Sequence, residues 1–277
     1  MSGSLYIVAT PIGNLSDISE RAIEVLKQSD LIAAEDTRHS KILLEQFNIK
    51  TKLMPYHEHN ERKFTSQLIQ QIIDGKSIAL ISDAGTPLIN DPGYKLVTAA
   101  YYNRIKVIPI PGPSAVITAL SASGLPTNRF IFEGYLSAKK EARKKFLQQL
   151  ISESRTLVFF EAPHRILETI QDMQDVFGSE RRVTIARELT KKYEQIVLDT
   201  LSAVNKKLIN EEIKIKGEFV VIVEGAQETS VSDVEVLRVN QILSEKLSPK
   251  VAAGLTSKIT GKKKNEVYQM ALKASKK

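Results

Sequence analysis

Cysteine is missing from all 277 residues. Its absence excludes a disulfide framework, a thiolate metal site and a thiol nucleophile, and it suits a reducing cytoplasm. Disorder-prone composition is missing as well. With 42% apolar and 26% charged residues the chain has the balance of a globular protein. At roughly 100–200 residues per domain, its length favours two domains. No membrane-spanning run is present either. The longest uncharged stretch, 107–128, is broken by Pro109, Pro111, Pro113 and Pro126. Met1-Ser2-Gly3-Ser4 lacks the basic start of a signal peptide, so neither export nor membrane attachment is expected and a cytoplasmic location is.

Several familiar site signatures are also lacking. There is no GxGxxG for a dinucleotide and no glycine-rich phosphate loop ending in Lys and Ser/Thr. Gly112-Pro113-Ser114-Ala115-Val116 lacks the closing glycine of a nucleophile elbow. His57-Glu58-His59 does not have the two-histidine helical spacing of a zinc protease, and no essential metal is expected. Basic charge is scarce over most of the chain. The formal charge is +7, yet Pro249 to Lys277 holds eight lysines against Glu266 alone, which leaves residues 1–248 neutral overall. Attraction to polyanions is therefore expected to concentrate at the C-terminal end.

What is present is a β-α alternation. Short β-branched runs at 5–8, 31–34, 52–54, 78–81 and 105–110 are separated by helical periodicity near 18–28, 39–47 and 62–74. Apolar runs without polar alternation suit strands covered on both faces of a largely parallel sheet. A second series follows Gly124-Leu125-Pro126, with strands expected near 129–133, 156–160, 183–186, 196–200 and 219–223 and helices near 139–153 and 164–176. The expected architecture is two α/β domains, 1–118 and 119–226, the boundary falling in the small-residue stretch 115–125. After the polar segment Gly225 to Asp233, short lysine-rich helices near 234–246, 250–259 and 264–274 read as a helix–turn–helix-like appendage, 234–277.

Three turns stand out, each following a strand. They are Ala9-Thr10-Pro11-Ile12-Gly13-Asn14-Leu15, then Ser82 to Gly93 with two carboxylates, then Pro111-Gly112-Pro113-Ser114-Ala115. Proline fixes φ, glycine frees it, and small side chains let backbone groups approach a ligand. One such turn alone is more readily a tight connection than a site. Three at the carboxyl ends of strands in one parallel sheet point to a shared ligand crevice.

These turns lie within the strings ATPIGNL, AAEDTRHS, YHEHNE, SDAGTPLINDPG, PIPGPSAVITALSASGLP and FEAPHR. Together the strings resemble the ribosomal RNA small-subunit methyltransferase I family of the tetrapyrrole-methylase superfamily, over almost the whole chain. The resemblance implies two α/β domains holding S-adenosylmethionine in the cleft between them, usually in a homodimer. It also implies methyl transfer to the ribose 2′-hydroxyl of a cytidine in the decoding region of 16S ribosomal RNA, within the small ribosomal subunit. By motif position, Thr10, Pro11, Gly13, Asp83, Ala84, Gly85, Thr86, Pro87, Ser114 and Ala115 would hold the cofactor, with Glu161 and Ala186 closing the cleft from the second domain.

A ribose hydroxyl is a poor nucleophile when protonated, so a carboxylate or histidine is expected beside it. Asp36, His39 and His57 are the catalytic candidates, while Asp83 ranks first as a cofactor ligand. Arg38, Arg165, Arg187, Lys262, Lys263 and Lys264 are the candidates for RNA phosphates. Plainer readings accompany them. Asp36 pairs with Arg38 or caps a helix, arginines 165 and 187 serve internal carboxylates, and the lysines form a solvated face. Two rival functions stay open: a methylase of a tetrapyrrole or other small molecule, and a non-catalytic RNA-binding factor in ribosome assembly.

Overall fold

The computed structural model describes residues 3–227 and 233–274. Residues 228–232 of the polar segment, and 275–277 of the appendage, lie outside the described residues. The chain divides into two units. One runs to Glu224 without Ser152–Ser154; the other joins those three residues to the chain from Gly225 onward.

The larger unit contains two five-stranded sheets. The first is built from β1 (Ser4–Val8), β2 (Leu31–Ala34), β3 (Leu53–Pro55), β4 (Ile78–Ile81) and β5 (Lys106–Ile110), in the order β3-β2-β4-β1-β5. Every pairing is parallel. Helices α1 (Glu20–Gln28), α2 (Thr37–Gln46), α3 (Glu61–Ile73) and α4 (Tyr94–Tyr102) connect the strands. Successive strand side chains point to opposite faces, so one strand feeds two cores. Ile78 and Leu80 pack with Leu68 and Ile72 of α3 and Leu96 of α4, whereas Ala79 and Ile81 pack with Leu26 of α1 and Leu44 of α2. Coverage on both faces explains the unbroken apolar runs.

Helix starts follow capping chemistry. The first helix begins at Glu20, later than periodicity suggests, because the Ser19 hydroxyl accepts the Ala22 N–H at 3.1 Å while residues 15–17 form a short 3-10 turn. Helix α2 begins at Thr37, with the Asp36 side chain accepting the Arg38 N–H.

After α5 (Ala115–Ala122), the second sheet comprises β6 (Phe130–Tyr135), β7 (Thr156–Glu161), β8 (Arg182–Arg187), β9 (Gln195–Thr200) and β10 (Phe219–Val223), in the order β6-β7-β10-β8-β9. Only β6 and β7 pair in parallel; β10 runs antiparallel to both neighbours, and β8 antiparallel to β9. Leu157, Phe159, Val183, Ile185 and Val221 form one core with α6 (Lys140–Gln149), α7 (Ile166–Phe177) and α8 (Leu201–Ile209). Leu157, Phe159 and Val221 are fully buried, each stabilising the fold by roughly 1.5–3 kcal/mol. On the opposite face Val158, Ala186, Val220 and Ile222 pack with Val116, Ala119 and Leu120 of α5 and with Ile12 of the first turn. That cluster joins the two halves.

The smaller unit holds α9 (Asp233–Ser244), α10 (Pro249–Thr260) and α11 (Lys264–Ala274). Val236, Ala253 and Val267 form its core, and the Asn240 amide donates to the Thr256 hydroxyl at 3.2 Å. Helix α10 ends at Gly261, whose φ of 74° is the left-handed stop that glycine favours. No helix among the described residues is long and apolar enough to cross a membrane.

Candidate active site

Sheet order brings the three turns together. They follow β1, β4 and β5, and these strands lie side by side as β4-β1-β5. Backbone bonds then clamp one turn to the next. Thr10 and Gly85 exchange N–H to carbonyl bonds in both directions, at 2.9 and 3.0 Å, and the Thr86 hydroxyl donates to the Pro113 carbonyl at 3.0 Å. Within the loop 82–93, Gly85, Leu88, Asn90 and Gly93 all adopt positive φ, two of them without glycine's freedom. Such conformations persist where surroundings over-determine them. One restraint comes from α3: the buried Glu61 carboxylate accepts the Gly93 N–H at 2.9 Å and pairs with Lys95 at 2.8 Å. Glu61, the last residue of YHEHNE, thus braces the loop.

Above the turns lies a cavity of about 310 Å³. Its floor is Asp83, Ala84, Gly85, Thr86, Ser114 and Ala115, six of the residues singled out from sequence. Ala186, Tyr135, Phe160 and Phe219 supply the facing wall from the second sheet. A bulge in β6 between Phe132 and Gly134 shapes that wall. Gly134 has φ +66°, and a Cβ there would sit 2.8 Å from the Asn90 Oδ1, so the close approach of wall and loop requires glycine.

The other candidates are placed differently. Thr10 is buried with its hydroxyl on the Ser82 carbonyl, Pro11 and Pro87 are buried, and Gly13 abuts Lys191; these four shape the turns rather than line the cavity. Glu161 is turned inward as well. Its carboxylate accepts the Ala162 N–H at 2.8 Å and the Thr169 hydroxyl at 2.6 Å and pairs with Arg165 at 2.7 Å.

Arg165 and Arg187, expected on RNA, serve the interior. Arg165 also donates to the Leu136 carbonyl, and Arg187 donates to the carbonyls of Lys216 and Tyr193 at 2.7 and 3.0 Å. Arg38 remains largely exposed but is bound bidentately to Asp36. Hydrogen bonds from the Arg38 side chain and backbone hold the Asp36 carboxyl far below the ordinary carboxylate range. Neither Asp36, His39 nor His57 lines the cavity: His39 is exposed, and His57 sits in the turn before α3 with its N–H on Asn60. In the smaller unit Lys262 pairs with Asp233, while Lys263 and Lys264 lead into α11.

The cavity also has a charge that sequence reading did not anticipate. Its ionisable lining side chains are Glu35, Asp83, Asp91, Glu218 and Tyr135, with no lysine, arginine or histidine among the described residues that line it. Burial, then the charges of Asp91 and Asp83, push the Glu35 carboxyl up. Burial likewise raises Asp91 and Tyr135. The sequence signal for Glu35 is its place directly after the buried strand β2, at the carboxyl end of the sheet.

Comparison with known proteins agrees with this architecture. The family model of Tetrapyrrole (Corrin/Porphyrin) Methylases matches residues 4–205, and that of the RsmI C-terminal HTH domain matches 230–275. The ribosomal RNA small subunit methyltransferase I of Pseudomonas aeruginosa is 50% identical over 98% of this chain and 97% of its own length. Among solved structures, the cobalt precorrin-4 methyltransferase has a TM-score of 0.60 at 15% identity, over 80% of this chain and 94% of that one. The uroporphyrin-III C-methyl transferase of Thermus thermophilus, complexed with S-adenyl homocysteine, has a TM-score of 0.56 at 14% identity, over 80% and 97%. Both structural likenesses concern the fold alone. Through near-complete coverage by its relatives, the chain belongs to the ribosomal RNA small subunit methyltransferase I family, within the tetrapyrrole methylases.

Proposed function

We propose that the chain transfers a methyl group from S-adenosylmethionine to ribosomal RNA, at the ribose 2′-hydroxyl of a cytidine in the decoding region of the 16S molecule. The observation that carries this reading is the cavity itself. Three interlocked turns present backbone groups and small side chains, opposite a wall with Tyr135, Phe160 and Phe219. S-adenosylmethionine bears a sulfonium and an ammonium against one carboxylate, and a wall whose ionisable groups are acids and a tyrosine suits that net positive charge. When bound, the cofactor supplies an electrophilic methyl group.

The chain's own residues do the positioning. Gly85, Ser114 and Ala115 leave room where a larger side chain would intrude, and the Thr10–Gly85 and Thr86–Pro113 bonds keep the turns in register. Fixed geometry of this kind provides a large share of the rate of a group transfer. The lysine-rich smaller unit favours RNA over a tetrapyrrole acceptor, because phosphate neutralisation dominates nucleic-acid affinity. The reading includes a homodimer, the small ribosomal subunit as setting and the cytoplasm as location. Nucleoside mass analysis of small-subunit RNA after incubation with labelled cofactor tests it. Label on the ribose of one cytidine is expected; label confined to a base overturns the ribose assignment, and absence of cofactor binding overturns the methylase reading altogether. Light scattering gives the oligomeric state.

A further inference from the structure

Two of the cavity-lining carboxylates, Asp83 and Glu218, are held by neighbouring groups. The Asp83 Oδ1 accepts the Asp36 N–H at 3.0 Å. Asp91 lies beside Ser82, whose hydroxyl donates to the Ala84 carbonyl at 3.3 Å. Glu218 is mostly exposed and paired with Lys191 at 2.9 Å. Glu35, half-buried at the carboxyl end of β2, has only the Asp83 backbone as a hydrogen-bonding neighbour among the described residues. The three residues expected to take a proton, Asp36, His39 and His57, stand outside the cavity.

We propose that Glu35 is the proton acceptor for the attacking ribose hydroxyl, an assignment that rests on the methyl-transfer reading above. The hydroxyl oxygen forms its bond to the methyl carbon as the carbon–sulfur bond breaks, with that electron pair remaining on sulfur. The hydroxyl proton passes to the Glu35 carboxylate, leaving a neutral ether and a neutral acid.

The surroundings of Glu35 suit a base. Burial and the negative charges of Asp91 and Asp83 favour its protonated form, with Asp36 adding in the same sense and the Asp83 backbone opposing. Tyr135 of β6 and Glu218 just before β10 are the other ionisable groups on the cavity, and the Arg38 guanidinium, on the β2 side, is bound to Asp36. A carboxylate raised towards the working pH is a more effective general base than an ordinary one.

Glu35→Gln tests this in the full chain. The expected result is a loss of about 10²–10⁴-fold in kcat, well beyond any loss of cofactor affinity by calorimetry, and partial recovery in Glu35→Asp. The acid limb of the kcat profile should vanish in Glu35→Gln. In the ligand-free protein, carboxyl-carbon NMR should show one glutamate titrating above the ordinary range, absent in Glu35→Gln and shifted down in Asp91→Asn. A Glu35→Gln variant that turns over like the parent overturns the proposal, as does one that loses cofactor affinity instead of kcat. If the parent itself puts no methyl on ribose, the functional reading fails first, and Glu35 loses its role with it.

Discussion

Replacing Glu161 by alanine separates a brace from a cofactor ligand. The glutamate is buried, and its loss removes three bonds at once: those from the Ala162 N–H, the Thr169 hydroxyl and the Arg165 guanidinium. Arg165, with a side chain only 18% exposed and a buried Nε that already lacks an acceptor, then keeps the Leu136 carbonyl as its hydrogen-bond partner. Breaking one side of a buried ion pair costs about 3–5 kcal/mol. For a unit of this size each kcal/mol moves the melting temperature by about 2–4 °C, so a fall of about 6–20 °C is expected. The double variant Glu161→Ala with Arg165→Met should recover part of it, since no unpaired charge is left behind. Calorimetric unfolding of parent, single and double variants gives the cycle, and titration with S-adenosylmethionine gives affinity. An unchanged melting temperature together with a tenfold weaker cofactor would refute the reasoning and return Glu161 to the cavity.

Four further outcomes are expected. Gly85→Ala places a side chain at φ +81°, with its Cβ 3.4 Å from Ile12; left-handed strain of about 1–2 kcal/mol and intrusion into the cavity should weaken cofactor binding by calorimetry. Asp91→Asn should raise the melting temperature at neutral pH. The folded Asp91 carboxyl is raised, so its ionisation opposes folding; the gain should be present above that raised value and disappear as pH falls below the ordinary 3.8. Replacing Lys262, Lys263 and Lys264 together by alanine should lower the slope of RNA affinity against salt by about 2, if each neutralises one phosphate, while sparing cofactor affinity. Arg187→Met, which removes bonds to two backbone carbonyls, should lower the melting temperature without altering that salt slope.

Much of the first half could be read from the residues because parallel strands covered on both faces leave continuous apolar runs, as Leu31–Ala34 and Ile78–Ile81 do. The three turns were visible as Pro/Gly clusters, and the adjacency of β4, β1 and β5 is what makes them one floor. Strand direction in the second half was not visible: Phe219–Val223 has the same apolar text whether it runs parallel or antiparallel, and pairing is decided by partners far along the chain. The orientation of arginines is equally hidden. Arg187 and Arg38 are the same residue type near similar turns, yet one is buried against carbonyls and the other faces solvent. Glu35 and Glu61 stand inside the strings AAEDTRHS and YHEHNE, but their roles arise from residues 83, 91 and 93, brought near by the sheet.

The place of β10 in the second sheet has a consequence for synthesis. This last strand of the larger unit inserts between β7 and β8, and Phe219 and Val220 on it complete the cavity wall. A nascent chain can pair β1 through β5 as soon as residue 110 has emerged, but its second sheet stays split until residue 223 follows. At about 5–20 residues per second, the growing polypeptide spends many seconds with one finished half and no place for a ligand. Ligand capture therefore reports that translation of the larger unit is over, and a chain truncated before Phe219 should be blind to the cofactor even with every floor turn intact.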